Sequence, residues 1–168
     1  MPSVKNTQHN EYGYFIFIAS HLEWDPFTKS PDIIKALAEE HQMWLASENT
    51  PFKGMYKKGD RVLLYAAGAT ARYVMGDAVV AGPIGEATSD DLEVADELGL
   101  DGFGQRIPLM DVRIWKDPLP LGPIAGKLKL IKDVRYWGQH FRQAATRISE
   151  DDYIFMLKEA QVSPAIKS

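Results

Sequence analysis

The chain contains no cysteine, which excludes disulfides, thiolate metal sites and cysteine nucleophiles. Its four histidines, His9, His21, His41 and His140, are scattered, and no two stand at metal-ligand spacing. No apolar stretch approaches the roughly 20 residues that a membrane-spanning helix needs. Residues 1–12 are polar and lack the apolar core of a signal peptide. These absences predict a cytoplasmic protein with no metal, no cofactor and no membrane partner. The glycines at 13, 54, 59, 68 and 76 form no phosphate loop, and Gly102-Phe103-Gly104 alone is too little for one. A Gly-x-Ser-x-Gly elbow is also missing. Asp90-Asp91 and Asp151-Asp152 read as helix starts, where acidic side chains complement the helix dipole. No catalytic residue can be named, and the sequence points to binding rather than turnover.

What is present fits an ordinary globular fold. The 168 residues are 45% apolar and 25% charged, enough to bury a core without staples. A loose leader over 1–12, one domain over 13–162 and a tail over 163–168 are expected. Net charge is −4, but the charges separate along the chain. Residues 85–101 hold seven acids and no base, whereas residues 127–147 hold six bases against Asp133. One face can therefore be basic on an acidic protein; two solvated faces are the plainer reading.

The apolar pattern predicts an α+β fold, a small mixed sheet or open barrel with helices packed on it. The aromatic and β-branched run at 14–19 reads as a buried central strand. Ser30 is expected to cap a helix, with Pro31 in its first turn, that runs to about Gln42. Strands are expected over 61–66, 73–81 and 106–115, the first entered through the Gly59-Asp60 turn. Pro118, Pro120 and Pro123 are expected to end regular structure. An acidic helix or lid is expected over 90–98, and helices over 136–147 and 149–160, the last opened by a box-like Ser149-Glu150-Asp151-Asp152.

Aromatic residues supply the candidate ligand site. An indole offers a flat face, and stacking a base on an aromatic ring is worth about 1–3 kcal/mol. Trp44 closes the first helical stretch. Trp137 stands in Arg135-Tyr136-Trp137-Gly138-Gln139-His140-Phe141-Arg142, the most basic and aromatic part of the chain. Trp24 and Trp115 belong to core, rim or pocket. Tyr65, at the end of a buried strand, joins the candidates.

The order of these features resembles the EVE domain family, within the PUA-like group that also holds YTH domains. The resemblance runs from about Tyr14 to Ala160. It rests on the aromatic strand, Trp24, Trp44, the Gly59-Asp60 turn, Arg135-Tyr136-Trp137, His140-Phe141 and Ser149 to Tyr153. Small stand-alone archaeal and bacterial proteins of that type are the nearest in pattern. The resemblance implies a PUA-like bent β-barrel flanked by helices, and a pocket for a modified base of DNA or RNA. It places Trp44 in one wall of the cage and Ser20 and His21 among the polar contacts. The second cage aromatic falls near Arg113, which is not aromatic. Trp115, two residues on, points the same way as Arg113 by strand alternation, and either Trp115 or Trp137 completes the wall. Lys127, Lys129, Lys132, Arg135 and Arg142 are the candidate phosphate contacts. The competing reading is an enzyme or binder for a free nucleoside or small amide, motivated by the acidic net charge and by His21 and His140.

Overall fold

The computed structural model describes residues 12–20, 29–68, 71–100, 102–141 and 143–163. His21, Trp24 and Arg142 lie outside the described residues, as do most of the leader and the tail. Seven strands form one curled, mixed sheet, the α+β arrangement expected of a PUA-like bent barrel. They are β1 (Tyr14–Ala19), β2 (Met43–Ala46), β3 (Arg61–Ala66), β4 (Tyr73–Val80), β5 (Gly85–Glu86), β6 (Gln105–Pro120) and β7 (Ala145–Arg147). Their order is β2-β6-β4-β3-β1-β7, with β5 paired to β6. Among the described residues only β1 and β3 run parallel, in register from Tyr14 opposite Arg61 to Ala19 opposite Ala66.

The central pair explains its own sequence. A strand covered on both faces reads as a continuous apolar run rather than an alternating one. Phe15, Phe17 and Ala19 enter one core cluster with Val62, Leu64 and Ala66. Ile16 and Ile18 enter a second with Leu63 and Tyr65. Helix α1 (Ser30–Ile34, continuing as a wider π-turn through Lys35–Glu40) and Trp44 cover the first face. Helix α3 (Glu150–Glu159) covers the second through Tyr153, Met156 and Leu157. The remaining helix, α2 (Ser89–Glu97), is the acidic one expected from the sequence. Thr88 and Asp91 close its capping box from both sides.

Several expectations fail for local reasons. Ser30 does not cap α1: it lies inside the first turn, and its hydroxyl donates to the Ala67 carbonyl at 2.7 Å, tying the helix to the end of β3. Ser149 does cap α3, but the Asp152 side chain accepts from Lys129 N and Leu130 N instead of closing a box. The helix expected over 136–147 is a kinked 3-10 segment, Val134–Phe141, followed by β7. Tyr136 leaves helical backbone angles, and residues 145–147 pair with β1 to cover its outer edge. Strand β6 passes through Pro118 and ends at Pro120. Strand β2 pairs only with residues 105–108, so β6 is an edge beyond them, and an edge strand tolerates a missing N–H. Gly76 is required where β4 meets β6, because a Cβ there would stand 2.4 Å from the Arg113 carbonyl.

The Gly59-Asp60 turn does more than enter a strand. Asp60 is fully buried and accepts from Gly13 N at 2.8 Å, Lys57 N at 3.0 Å and Lys57 Nζ at 2.9 Å. It thereby fixes the start of β1 against the start of β3. Asp60→Ala strands two backbone donors, and we expect a loss of roughly 3 kcal/mol in urea unfolding; a loss below about 0.5 kcal/mol would remove this assignment. A second expectation concerns alkali. Burial pushes the phenols of Tyr65 and Tyr153 up to about 12, against about 10 in an unfolded chain. The folded state holds these protons more tightly, so the stability they contribute is complete below pH ~10 and is lost as pH rises through about 12. Phenolate absorbance should show late tyrosines coinciding with unfolding; a single ionisation near pH 10 with the fold intact would contradict it.

Candidate functional site

Trp44 sits on β2 opposite Ile107 and is 3% exposed. Phe17 backs its indole at 5.6 Å with the rings 26° apart. Beside this pair lies a cavity of about 180 Å³. Its floor is apolar, from Ile33 and Leu37 of α1, Leu45 of β2 and Leu100. Ser20, at the end of β1, and Gln143, just before β7, bring the polar side chains. Phe103 forms a further wall. The sequence pointed to Trp44 and Ser20, and the structure brings them together. It did not point to Gln143 or Phe103. Phe103 was visible only as the centre of Gly102-Phe103-Gly104, a pattern that suggests a loop rather than a ring.

The other aromatic candidates gather on the opposite face of β1 and β3. Trp115 and Tyr65 are buried in the second cluster, and Trp137 packs against it. Tyr65 stacks on Phe141 at 4.5 Å. Trp137 meets Phe141 edge-on at 5.9 Å, and the Gly122 backbone lies beneath it. His140, next in that segment, is half-buried. Neither Trp115 nor Trp137 therefore stands across the cavity from Trp44. Arg113 and Trp115 do point the same way, as strand alternation requires, and both converge on Asp77. The carboxylate of Asp77 is fully buried. It accepts from Arg113 Nε at 2.9 Å, Arg113 Nη2 at 2.5 Å and Trp115 Nε1 at 3.0 Å. Hydrogen bonding to Asp77 raises the Arg113 pKa above its ordinary value. This is a bidentate clamp between β4 and β6. Its guanidinium is committed to the fold.

The basic stretch is partly neutralised from within. Lys129 pairs with Asp151, and Arg135 pairs with Asp133 at 2.9 Å. Lys127 and Lys132 are exposed and form no ion pair among the described residues. The same stretch leads directly to the cavity, since Gln143 and Ala144 line it. A larger groove of about 420 Å³ between α1 and α2 is lined by Glu40, Asp90, Glu93 and Glu97. Its charge is wrong for a phosphate chain. Among the described residues no three His, Asp or Glu side chains gather as a metal site. No helix among them is long and apolar enough to cross a membrane.

No family model and no curated protein matches the chain in sequence. In structure it is similar to several solved proteins. A protein from Agrobacterium tumefaciens superposes with a TM-score of 0.60 at 16% identity, covering 93% of this chain and 98% of its own. Human THYN1, solved in complex with 5-methylcytosine-containing DNA, gives 0.58 at 15% identity, over 90% of this chain and 99% of its own. An ASCH protein from Zymomonas mobilis gives 0.55 at 11% identity, over 87% and 94%. The shared feature is the fold. The curled half-barrel with its flanking helices is the PUA-like architecture that these proteins also have.

Proposed function

We propose that the protein is a non-catalytic nucleic-acid binder of EVE type that accepts one extruded, modified pyrimidine in the cavity beside Trp44. The carrying observation is the cavity itself: about 180 Å³, apolar in its floor, with an indole backed by Phe17 and polar groups from Ser20 and Gln143. An apolar cavity of about 150 Å³ holds one benzene-sized ring. A substituted single ring fits this space. Flipping a base out of its stack costs a few kcal/mol, which stacking and phosphate contacts offset. The lining offers shape, a flat ring and hydrogen bonds, which suit recognition. The likeness of fold to human THYN1, solved with 5-methylcytosine-containing DNA, supports the same reading.

Phosphate contacts in this reading come from Lys127, Lys132 and Arg142, with smaller shares from Lys129 and Arg135, whose charges are already paired. Such contacts position the strand and make affinity fall with salt. The DNA or RNA choice rests on contacts to the 2′-OH. The decisive test is tryptophan quenching by oligonucleotides carrying plain or modified cytosine or adenine, at two salt concentrations. We expect tighter binding of modified cytosine, with Trp44→Ala weakening it about tenfold or more and abolishing the preference. Equal binding of plain and modified oligonucleotides would overturn the proposal. Salt-independent binding of free nucleosides alone would favour a metabolite binder instead.

A further inference from the structure

Phe103 lines the Trp44 cavity on one side and, on the other, an open groove of about 820 Å³. The groove runs between the turn after β2 and the start of β6. Ser47, Asn49 and Lys53 form one bank, and Gln105 belongs to the other. Phe103 is half-buried, and among the described residues no other ring packs on it. Glycines flank it on both sides. A Cβ at Gly102 or Gly104 would meet nothing within 4 Å, so the approach to the ring is clear. Gly102 also has φ +82, a conformation that L side chains rarely adopt. The Gly104 carbonyl is fixed by Ala87 N at 3.0 Å, which anchors the segment.

The polar groups of the groove suit a base edge rather than a phosphate. Asn49 is exposed, and its carboxamide makes no intramolecular bond among the described residues, because the turn is held by other atoms. Ser47 N donates to Thr50 Oγ1 at 2.9 Å, and Asn49 N donates to Ser47 Oγ at 3.3 Å. The Gln105 carboxamide accepts from Lys53 Nζ at 3.3 Å. Beside Lys53 the groove is also lined by two carboxylate residues, Glu48 and Glu86, so it does not attract a polyanion. Amide side chains are the groups that pair with base edges, and an accessible ring is a stacking platform.

We infer that this groove is a second subsite, which binds the nucleobase next to the extruded one, with Phe103 as the wall between them. The inference rests on the base-binding reading of the Trp44 cavity. It makes the protein sensitive to sequence context. The neighbouring base stacks on Phe103, while Asn49 and Gln105 read its edge.

The test uses a short single-stranded oligonucleotide with one 5-methylcytosine, whose neighbours are either ordinary bases or abasic sugars. The quantity read is the affinity ratio between the two, measured for the wild type and for Asn49→Ala, Gln105→Ala and Phe103→Ala. Phe103→Ala also opens the first cavity, which is why the two amide variants accompany it. We expect abasic neighbours to weaken the wild type about tenfold, and each variant to shrink that ratio. An unchanged wild-type ratio near one overturns the subsite while leaving preference for the modified base intact. A ratio that survives in both amide variants and in Phe103→Ala overturns it as well. Loss of the modified-base preference itself, seen by replacing 5-methylcytosine with cytosine in the same series, overturns the cavity reading and the subsite together.

Discussion

The parallel pairing of β1 with β3 sets the rest of the molecule. Two parallel neighbours cannot be joined by a tight turn, so the chain must cross over between them. Here the crossover carries α1 and β2, and both land on one face of the pair. The other face is left for α3 and the 3-10 segments, which close it from the far end of the chain. Asp60 holds the arrangement at its origin, because one buried carboxylate ties the backbone before β1 to the turn before β3. Without that tie, the buried N–H of Gly13 at the origin of β1 would be left without a partner.

From this division the site follows. The crossover brings Trp44 back against Phe17, and the end of β1 delivers Ser20 to the same spot. The cavity exists because α1, β2, Leu100 and Phe103 meet around the end of a strand without filling it. The other face is packed by the second cluster. Asp77 draws Arg113 and Trp115 together, and Phe141 packs on Tyr65. Breaking a buried ion pair by removing one partner costs more than the pair itself contributes, so this clamp is a constraint on β4 and β6.

Much of the fold was legible in the sequence. The continuous apolar runs gave β1 and β3, and the acidic starts gave α2 and α3. Trp44 and Ser20, singled out through the order of features rather than through any one motif, do line one cavity. The parity of Arg113 and Trp115 was legible too, as strand alternation demands. What could not be read was the face to which that parity belongs. Alternation is a property of one strand, whereas the facing side depends on register with β4, which the Gly76 approach and two bulges shift. Strand β7 was hidden because three residues that follow a helix-like stretch carry no period of their own. The path of β6 through Pro118 was hidden because only the pairing pattern reveals an edge. Phe103 was missed because glycines on both sides suggest backbone function and draw attention from the ring.

The charge distribution bears on how such a site can discriminate. A protein with net charge −4 repels a polyanion at long range, and two of its exposed cations in the basic stretch are already paired with acids. Non-specific attraction is therefore weak, and it weakens further with salt. In a strongly basic protein the backbone term would dominate, and plain and modified strands would bind nearly alike. When that term is small, the contribution of one ring in one cavity becomes a large share of the total. A methyl group adds apolar contact and little else, so it is selected only where the cavity is dry and closely fitted. In the proposed reading, the acidic net charge and the small apolar cavity work in the same direction, moving recognition from the phosphates to the base.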